Sequence, residues 1–244
     1  MSGPVQDETV RVERSPKRLR AFLGGHLVLD TLGARLVWEV PYYPQYYVPR
    51  EDVRAKLVAT GNHKPSRQRG PGTSWTVVVD EHQAVDAAAT FDESPVSELH
   101  GLVRVKWAAM DSWFEEDEEV FTRARSPYTR VDILPTSRRI RVEALGVTVA
   151  ETTRGHVLFE TGLPPRFYLP KVDVRMDLLD LTDTVTYCPH KGRTVYWTLR
   201  LDDGEVEDAA WSYPYPLPEC TRIAGLVSFE SRKVDVLVDG IRQE

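Results

Sequence analysis

The sequence predicts an all-β protein with little helix, built as two tandem copies of one compact domain. Three observations carry this. The chain repeats itself at a nearly fixed spacing. Its apolar residues fall in short runs rich in β-branched and aromatic side chains, bounded by glycine, proline or acidic turn residues. No stretch keeps a helical period long enough for a confident helix.

The repeat is the strongest of the three. Arg18-Leu19-Arg20 returns as Arg139-Ile140-Arg141, 139 − 18 = 121 residues later. At the same shift Leu36-Val37-Trp38-Glu39 becomes Val157-Leu158-Phe159-Glu160. Likewise Tyr46-Tyr47-Val48-Pro49 becomes Phe167-Tyr168-Leu169-Pro170. The shift slips by one for Ser74-Trp75 and Tyr196-Trp197, and for Asp86-Ala87-Ala88 and Asp208-Ala209-Ala210. It slips by two more for Gly101-Leu102-Val103 and Gly225-Leu226-Val227. A period this long exceeds that of a solenoid, so each copy is expected to carry its own core. The expected domains are residues 1–125, with a divergent pocket, and 126–244, with the intact motif. The 244-residue length suits two domains of ordinary size.

Taken in order, residues 1–13 read as a mobile lead-in. Leu19–Leu23 and His26–Leu29 flank Gly24-Gly25 as a hairpin, and Ile140–Leu145 and Val147–Glu151 flank Gly146 in the same way. Arg35–Val40 and its partner His156–Thr161 read as strands. Tyr46-Tyr47-Val48 is fenced by Pro44 and Pro49, which places it at a sheet edge or a strand end. Arg50–Val58 and Lys171–Leu179 are expected as short helical turns. Strands then follow at Trp75–Val79, Gln83–Ala88, Leu102–Trp107 and Met110–Phe114. The second copy has Val195–Leu201 and Glu205–Ala210 around an Asp202-Asp203-Gly204 turn, then Gly225–Glu230 and Lys233–Val238. The acidic run Glu115–Glu119 reads as a solvated strand end.

Composition excludes several classes. The formal charge is −6, so nothing favours the basic face on which nucleic-acid binding rests. No apolar run approaches the length of a membrane span. The opening Met1-Ser2-Gly3-Pro4-Val5-Gln6-Asp7-Glu8 lacks the basic and apolar regions of a signal peptide. Two cysteines are too few for a disulfide scaffold, so a cytoplasmic location with reduced thiols is expected.

Chemistry gathers in the second copy, in Thr186-Tyr187-Cys188-Pro189-His190-Lys191-Gly192, Val195-Tyr196-Trp197 and Trp211-Ser212-Tyr213-Pro214. The first copy has Asn62–Gly72 in place of the Cys-Pro-His-Lys-Gly turn, a stretch that reads as longer and lacks a thiol. It has Ala89-Thr90-Phe91-Asp92 in place of the Trp-Ser-Tyr-Pro segment.

These residues, with Glu160-Thr161-Gly162-Leu163-Pro164-Pro165-Arg166-Phe167-Tyr168-Leu169-Pro170 and Ile223-Ala224-Gly225, resemble the family called domain of unknown function 427. The match covers the second half almost completely and the first half more loosely. The whole resembles a tandem member of that family. The resemblance implies a β-tent fold, similar to methionine sulfoxide reductase B. It implies no established activity. A nucleotidyltransferase label is attached to the family, and no motif in this chain supports one. Relatives of the fold hold zinc through paired Cys-x-x-Cys motifs, which this chain lacks, so neither metal nor cofactor is expected. His190 stands where the family often has tyrosine.

Each candidate side chain has a functional and a structural reading. Cys188, beside His190 and Lys191, is either an activated thiol or an inert one packed in a turn. A metal site would need Cys188 and His190 to be joined by Cys220 or His156. Lys191 either holds an anionic ligand or sits at the surface. Glu160 and its counterpart Glu39 end apolar strands, where a buried carboxylate serves as acid or base, or bonds the following turn. Arg166 should face away from Phe167. Trp211 and Tyr213, alternating with Ser212, share one strand face, as a pocket wall or as core. Arg166, Tyr168, His190, Lys191, Trp211 and Tyr213 are therefore the candidate ligand-binding residues, and Cys188 and Glu160 the catalytic candidates. The best reading is a protein that binds a small anionic or aromatic molecule in its second domain. The alternatives are an enzyme using Cys188 or Glu160, or an interaction module presenting Tyr42–Tyr47 to a partner. No nucleic-acid or membrane partner is expected, and self-association stays open.

Overall fold

A computed structural model describes residues 10–41, 43–63, 66 and 68–243. The polar lead-in to residue 9, Tyr42, and Lys64, Pro65 and Arg67 of the first-copy loop lie outside them. The chain divides into two compact units, Met1–Ser126 and Pro127–Glu244. Strand dominates both. The helices among the described residues are short 3-10 turns, of which the longest is Pro218–Ile223, and none is long and apolar enough to cross a membrane.

The first unit contains β1 (Arg11–Arg14), β2 (Leu19–Leu23), β3 (His26–Thr31), β4 (Arg35–Val40), β5 (Tyr43–Pro49), β6 (Lys56–His63), β7 (Thr73–Val79), β8 (His82–Thr90), β9 (Leu102–Val105), β10 (Ser112–Glu115) and β11 (Glu118–Val120). They form one sheet in the order β1-β4-β5-β9-β8-β7-β6 and a second in the order β11-β10-β2-β3. The second unit contains β12 (Val131–Thr136), β13 (Ile140–Ala144), β14 (Val147–Thr152), β15 (Gly155–Glu160), β16 (Arg166–Tyr168), β17 (Leu179–Cys188), β18 (Gly192–Leu201), β19 (Gly204–Ser212), β20 (Val227–Phe229), β21 (Asp235–Val238) and β22 (Ile241–Arg242). Its sheets are β12-β15-β16, β14-β13-β21-β22 and β17-β18-β19-β20.

The two topologies match strand for strand. The single difference in sheet count comes from one junction. In the first unit β5 joins β9 through Val48↔Val103 and Pro49↔Leu102. In the second unit the same junction is the isolated bridge Leu169↔Val227. Shared polar clips accompany the shared ladders. Thr31 Oγ1 donates to Asp52 at 2.5 Å, and Thr152 Oγ1 to Asp173 at 2.8 Å. Thr60 Oγ1 donates to Asp86 at 2.7 Å, and Thr182 Oγ1 to Asp208 at 2.9 Å. Asp86 and Asp208 sit at φ 51° and 46°. That left-handed conformation suits aspartate better than most side chains, and it marks the irregular register where the long sheet bends.

Several expectations need correcting. Arg11–Arg14 is a strand paired with β4, so that part of the lead-in is ordered. β5 is an interior strand, and its two prolines lie near its ends, where Pro44 has no β9 residue opposite. Only Arg50–Asp52 of the first expected turn is helical, while Lys56 already belongs to β6; in the second copy the helical residues are Lys171–Asp173 and Met176–Leu178. The acidic run does lie at solvated strand ends, where β10 turns into β11: Glu116 to Glu119 are exposed, and Glu115 is half-buried. Lys17 bonds Glu115, whose carboxylate also accepts from Tyr46 OH at 2.9 Å, and Arg20 holds Asp117 at 2.8 Å. The first-copy loop is not longer. Ser66 bridges Gly70 as Cys188 pairs with Gly192, and 192 − 70 = 122 is also the Trp75-to-Trp197 spacing. Arg69 therefore stands in the place of Lys191.

In the second unit the main core lies between the β14-β13-β21-β22 sheet and one face of the β17–β20 sheet. It includes Ile140, Val142, Val236, Val238, Trp197, Leu199, Ala210 and Phe229. Strand alternation sends Tyr196 and Trp211 to the other face, where β15 and β16 approach. A smaller cluster of Ile133, Leu158, Tyr168, Tyr213, Cys220 and Ile223 closes that side.

Thr152→Val removes a hydroxyl that is 5% exposed and bonds a carboxylate. It should cost about 1.5–3 kcal/mol in urea unfolding, with Thr31→Val behaving alike in the first unit.

Candidate functional site

Behind the β17–β20 sheet of the second unit is a cavity of about 450 Å³, within the range of small-molecule sites. Glu160 and Leu158 come from β15, Arg166 and Tyr168 from β16, Thr184 and Thr186 from β17, and Tyr196 from β18. Asp208 and Trp211 come from β19, and Tyr213 follows it. Arg166 and Tyr168 reach the cavity because Phe167 between them turns into the main core.

Lys191 is placed by the turn that links β17 to β18. Its backbone N–H donates to the Cys188 carbonyl at 3.3 Å, and its carbonyl accepts from Leu217 N–H at 3.0 Å. Gly192 adopts φ 99°, a conformation that glycine tolerates and other residues resist. The Lys191 ammonium lies against the Glu160 carboxylate, and the two side chains are only 11% and 9% exposed. Burial works against the charged ammonium. The neighbouring Cys188 sulfur and Glu160 carboxylate outweigh it and hold the lysine above its ordinary range. The Glu160 side chain thus serves Lys191 and not the following turn, which closes through its backbone by Leu163 N–H to Glu160 O at 3.0 Å.

A second charged group lines the same cavity. Glu230 accepts a fork from Arg232, at 3.0 and 3.2 Å, and lies 3.7 Å from Arg166. Burial opposes the Glu230 charge, but the two arginines hold its carboxyl below the usual range. Arg166 also donates to Ser231 Oγ at 3.3 Å, and its guanidinium stands 5.6 Å from the Trp211 ring. Trp211 Nε1 donates to Tyr168 OH at 3.4 Å. Burial raises the Tyr168 and Tyr213 phenols above their ordinary range, so both are neutral donors at physiological pH. The Lys191–Glu160 pair is electrically balanced; Arg166, Glu230 and Arg232 together carry one surplus positive charge.

The structure therefore gathers Glu160, Arg166, Tyr168, Lys191, Trp211 and Tyr213 around one cavity. It does not bring His190 or Cys188 to the lining. His190 is half-buried, and its carbonyl accepts from the Cys220 thiol at 3.3 Å. Cys188 packs at the edge of the small apolar cluster. Among the described residues no three His, Cys, Asp or Glu side chains gather as a metal site, so Cys188, His190, Cys220 and His156 do not form one. Sequence reading named Thr186 only as part of a stretch, and missed Thr184, Asp208, Glu230, Arg232 and Lys233 as lining residues. Asp208 had a signal, since Asp86 repeats it. Glu230 and Arg232 had none, because their first-copy counterparts differ in kind.

Removing one member of the buried pair, by Glu160→Gln or Lys191→Met, should cost about 3–5 kcal/mol; Glu160→Leu with Lys191→Met should recover much of it. Because the folded-state lysine pKa is raised, its contribution is complete below the ordinary lysine value of 10.5 and is lost as pH climbs through the higher folded value. Urea midpoints measured from pH 9 upward would show that alkaline loss in wild type and not in the double variant. The thiols should also differ. Burial pushes Cys220 up to about 11, so at pH 8 iodoacetamide should modify the half-buried Cys188 first, as peptide mapping would show.

No curated protein matches the chain. A family model matches it twice, over residues 11–116 and 132–240, which are the two units in turn. The chain belongs to the family described as Domain of unknown function (DUF427), in tandem form.

Proposed function

We propose that the second unit binds a small organic anion with a flat ring, and that its site is the cavity behind the β17–β20 sheet. The observation that carries this reading is Arg166, which stands over Trp211 in a charge group with one surplus positive charge. A ring would lie against Trp211 and Tyr213, and an anionic group would face Arg166 and Arg232. Guanidinium groups suit carboxylate and phosphate oxygens because their donors form a planar fork. Lys191 supports the site through Glu160 and is not the free cation. The flat wall and the charge sit on rigid strands, which favours binding without a large ordering cost.

The enzyme reading is weaker here. Glu160 is committed to Lys191, and Cys188 does not line the cavity. The interaction-module reading has less surface to offer, since Tyr46 and Tyr47 are buried in the first unit's cores and Tyr43 is half-buried, while Tyr42 lies outside the described residues.

Native mass spectrometry of the freshly purified protein, followed by titration with a panel of aromatic carboxylates and phosphates, tests the proposal. Trp211→Ala and Arg166→Gln should each weaken binding about tenfold or more, while Cys188→Ala leaves it unchanged. Equal loss in Cys188→Ala would point to thiol chemistry instead. Absence of any binding from the panel would overturn the reading.

A further inference from the structure

The first unit carries its own charge group at the matching position, and its balance differs. Glu39 corresponds to Glu160, but two arginines share it. Arg69 NH1 lies 3.1 Å from one carboxylate oxygen, and Arg104 Nε lies 3.3 Å from the other. Tyr47 OH donates to Glu39 at 2.8 Å and accepts from Arg69 at 3.2 Å. The Arg69 guanidinium is stacked 4.5 Å from the Phe91 ring. The side chains of Glu39, Arg69 and Arg104 are 14%, 16% and 29% exposed. One carboxylate thus faces two largely buried guanidinium groups. The Nε atoms of both arginines are buried with no hydrogen-bond acceptor; the Arg104 contact with Glu39 is an ion pair without hydrogen-bond geometry.

The second unit shows that this surplus is not required by the fold. Arg104 is replaced there by Ser228 (228 − 104 = 124, the spacing of the Leu102-Val103 and Leu226-Val227 pair), and the remaining Lys191–Glu160 pair is balanced. A second arginine placed on an already neutralised carboxylate adds desolvation cost without a new partner. A bound oxyanion would remove that cost, because each guanidinium still has donors to offer.

We infer that Arg69 and Arg104 form an oxyanion site in the first unit, which accepts the phosphate, sulfate or carboxylate group of a small ligand beside Glu39 and Tyr47. This site is separate from the cavity of the second unit and does not depend on that cavity being a binding site. Tyr47 and Glu39 orient Arg69, and Phe91 supports its flat face, so one arginine is fixed and Arg104 closes from β9.

Inorganic phosphate is the probe, with chloride at matched ionic strength as the control, and the whole chain carrying Arg166→Gln is the background. In that background phosphate should raise the unfolding temperature above the chloride control. Arg104→Gln should weaken phosphate binding about tenfold. Without phosphate it should leave the protein no less stable than its parent, because a surplus charge has gone. A phosphate effect that is absent, or that survives Arg104→Gln unchanged, overturns the site. A direct readout on the unaltered chain keeps the test independent of that variant's folding. The side-chain Nε–H signals of Arg69 and Arg104 in a nitrogen-15 spectrum should move with phosphate and stay still with chloride; no movement would also overturn it.

Discussion

A carboxylate at the end of an apolar strand has to be neutralised once the sheets close over it, and each unit is arranged around that need. Glu39 lies one residue before the end of β4 and Glu160 ends β15, and both are mostly covered. A charge in that position without a partner would cost several kcal/mol. The turn before β7 or β18 delivers the first cation, Arg69 or Lys191, from one alignable position. What stands around that pair then diverges. The first unit adds Arg104 and backs Arg69 with Phe91. The second unit has Ser228 and Tyr213 instead, brings Trp211 where the first has Ala89, and brings Arg166 where the first has Gln45. The scaffold is common property, and the polar constellation is individual to each copy.

The β17–β20 sheet makes this divergence possible. One face is filled by the main core, which fixes Trp197, Leu199, Ala210 and Phe229 in tight packing. The other face carries the residues that alternate with them, Tyr196 and Trp211 among them. Substitutions on the cavity face change chemistry without disturbing the core, because neighbouring side chains on a strand point to opposite sides. The Thr182–Asp208 clip sits at the bend of that sheet and places Asp208 on the cavity side.

Much of this was legible in the sequence. The repeat revealed the family's two copies, and strand alternation put Trp211 and Tyr213 on one face and turned Arg166 away from Phe167. The Gly24-Gly25 turn was read correctly because both residues need positive φ, which they have at 60° and 78°. β6 and β17 were not legible. Their burial alternates weakly, and β17 carries Asp180, Asp183 and several threonines on a mostly exposed strand, so hydrophobic periodicity had little to mark. Pro44 and Pro49 pointed to a sheet edge or a strand end; the strand-end half of that reading holds, and the edge half fails because the pairing of β5 with β9 is short enough to leave Pro44 unopposed. Lys191 was matched to no first-copy partner because the loop was read as longer, and that hid Arg69. Glu230 and Arg232 were invisible because their role depends on Arg166 approaching from a distant strand, which no local pattern encodes.

For the proposed anion binding, the electrostatics of the cavity would run against those of the chain. The protein carries a formal charge of −6, so an approaching anion meets a repulsive field at long range. At physiological salt that field is screened within about 8 Å, whereas Arg166 and Glu230 would act at contact distance from a partly covered wall, with Arg232 at its exposed rim. Attraction therefore begins only once the ligand is at the cavity mouth. A site of the proposed kind would gain little from long-range steering, and its selectivity would rest on short-range fit: the fork of Arg166, the Trp211 ring beside it, and the neutral phenols of Tyr168 and Tyr213. Added salt should consequently affect the overall repulsion and the local attraction in opposite directions, which leaves contact geometry as the term that decides which anion is held.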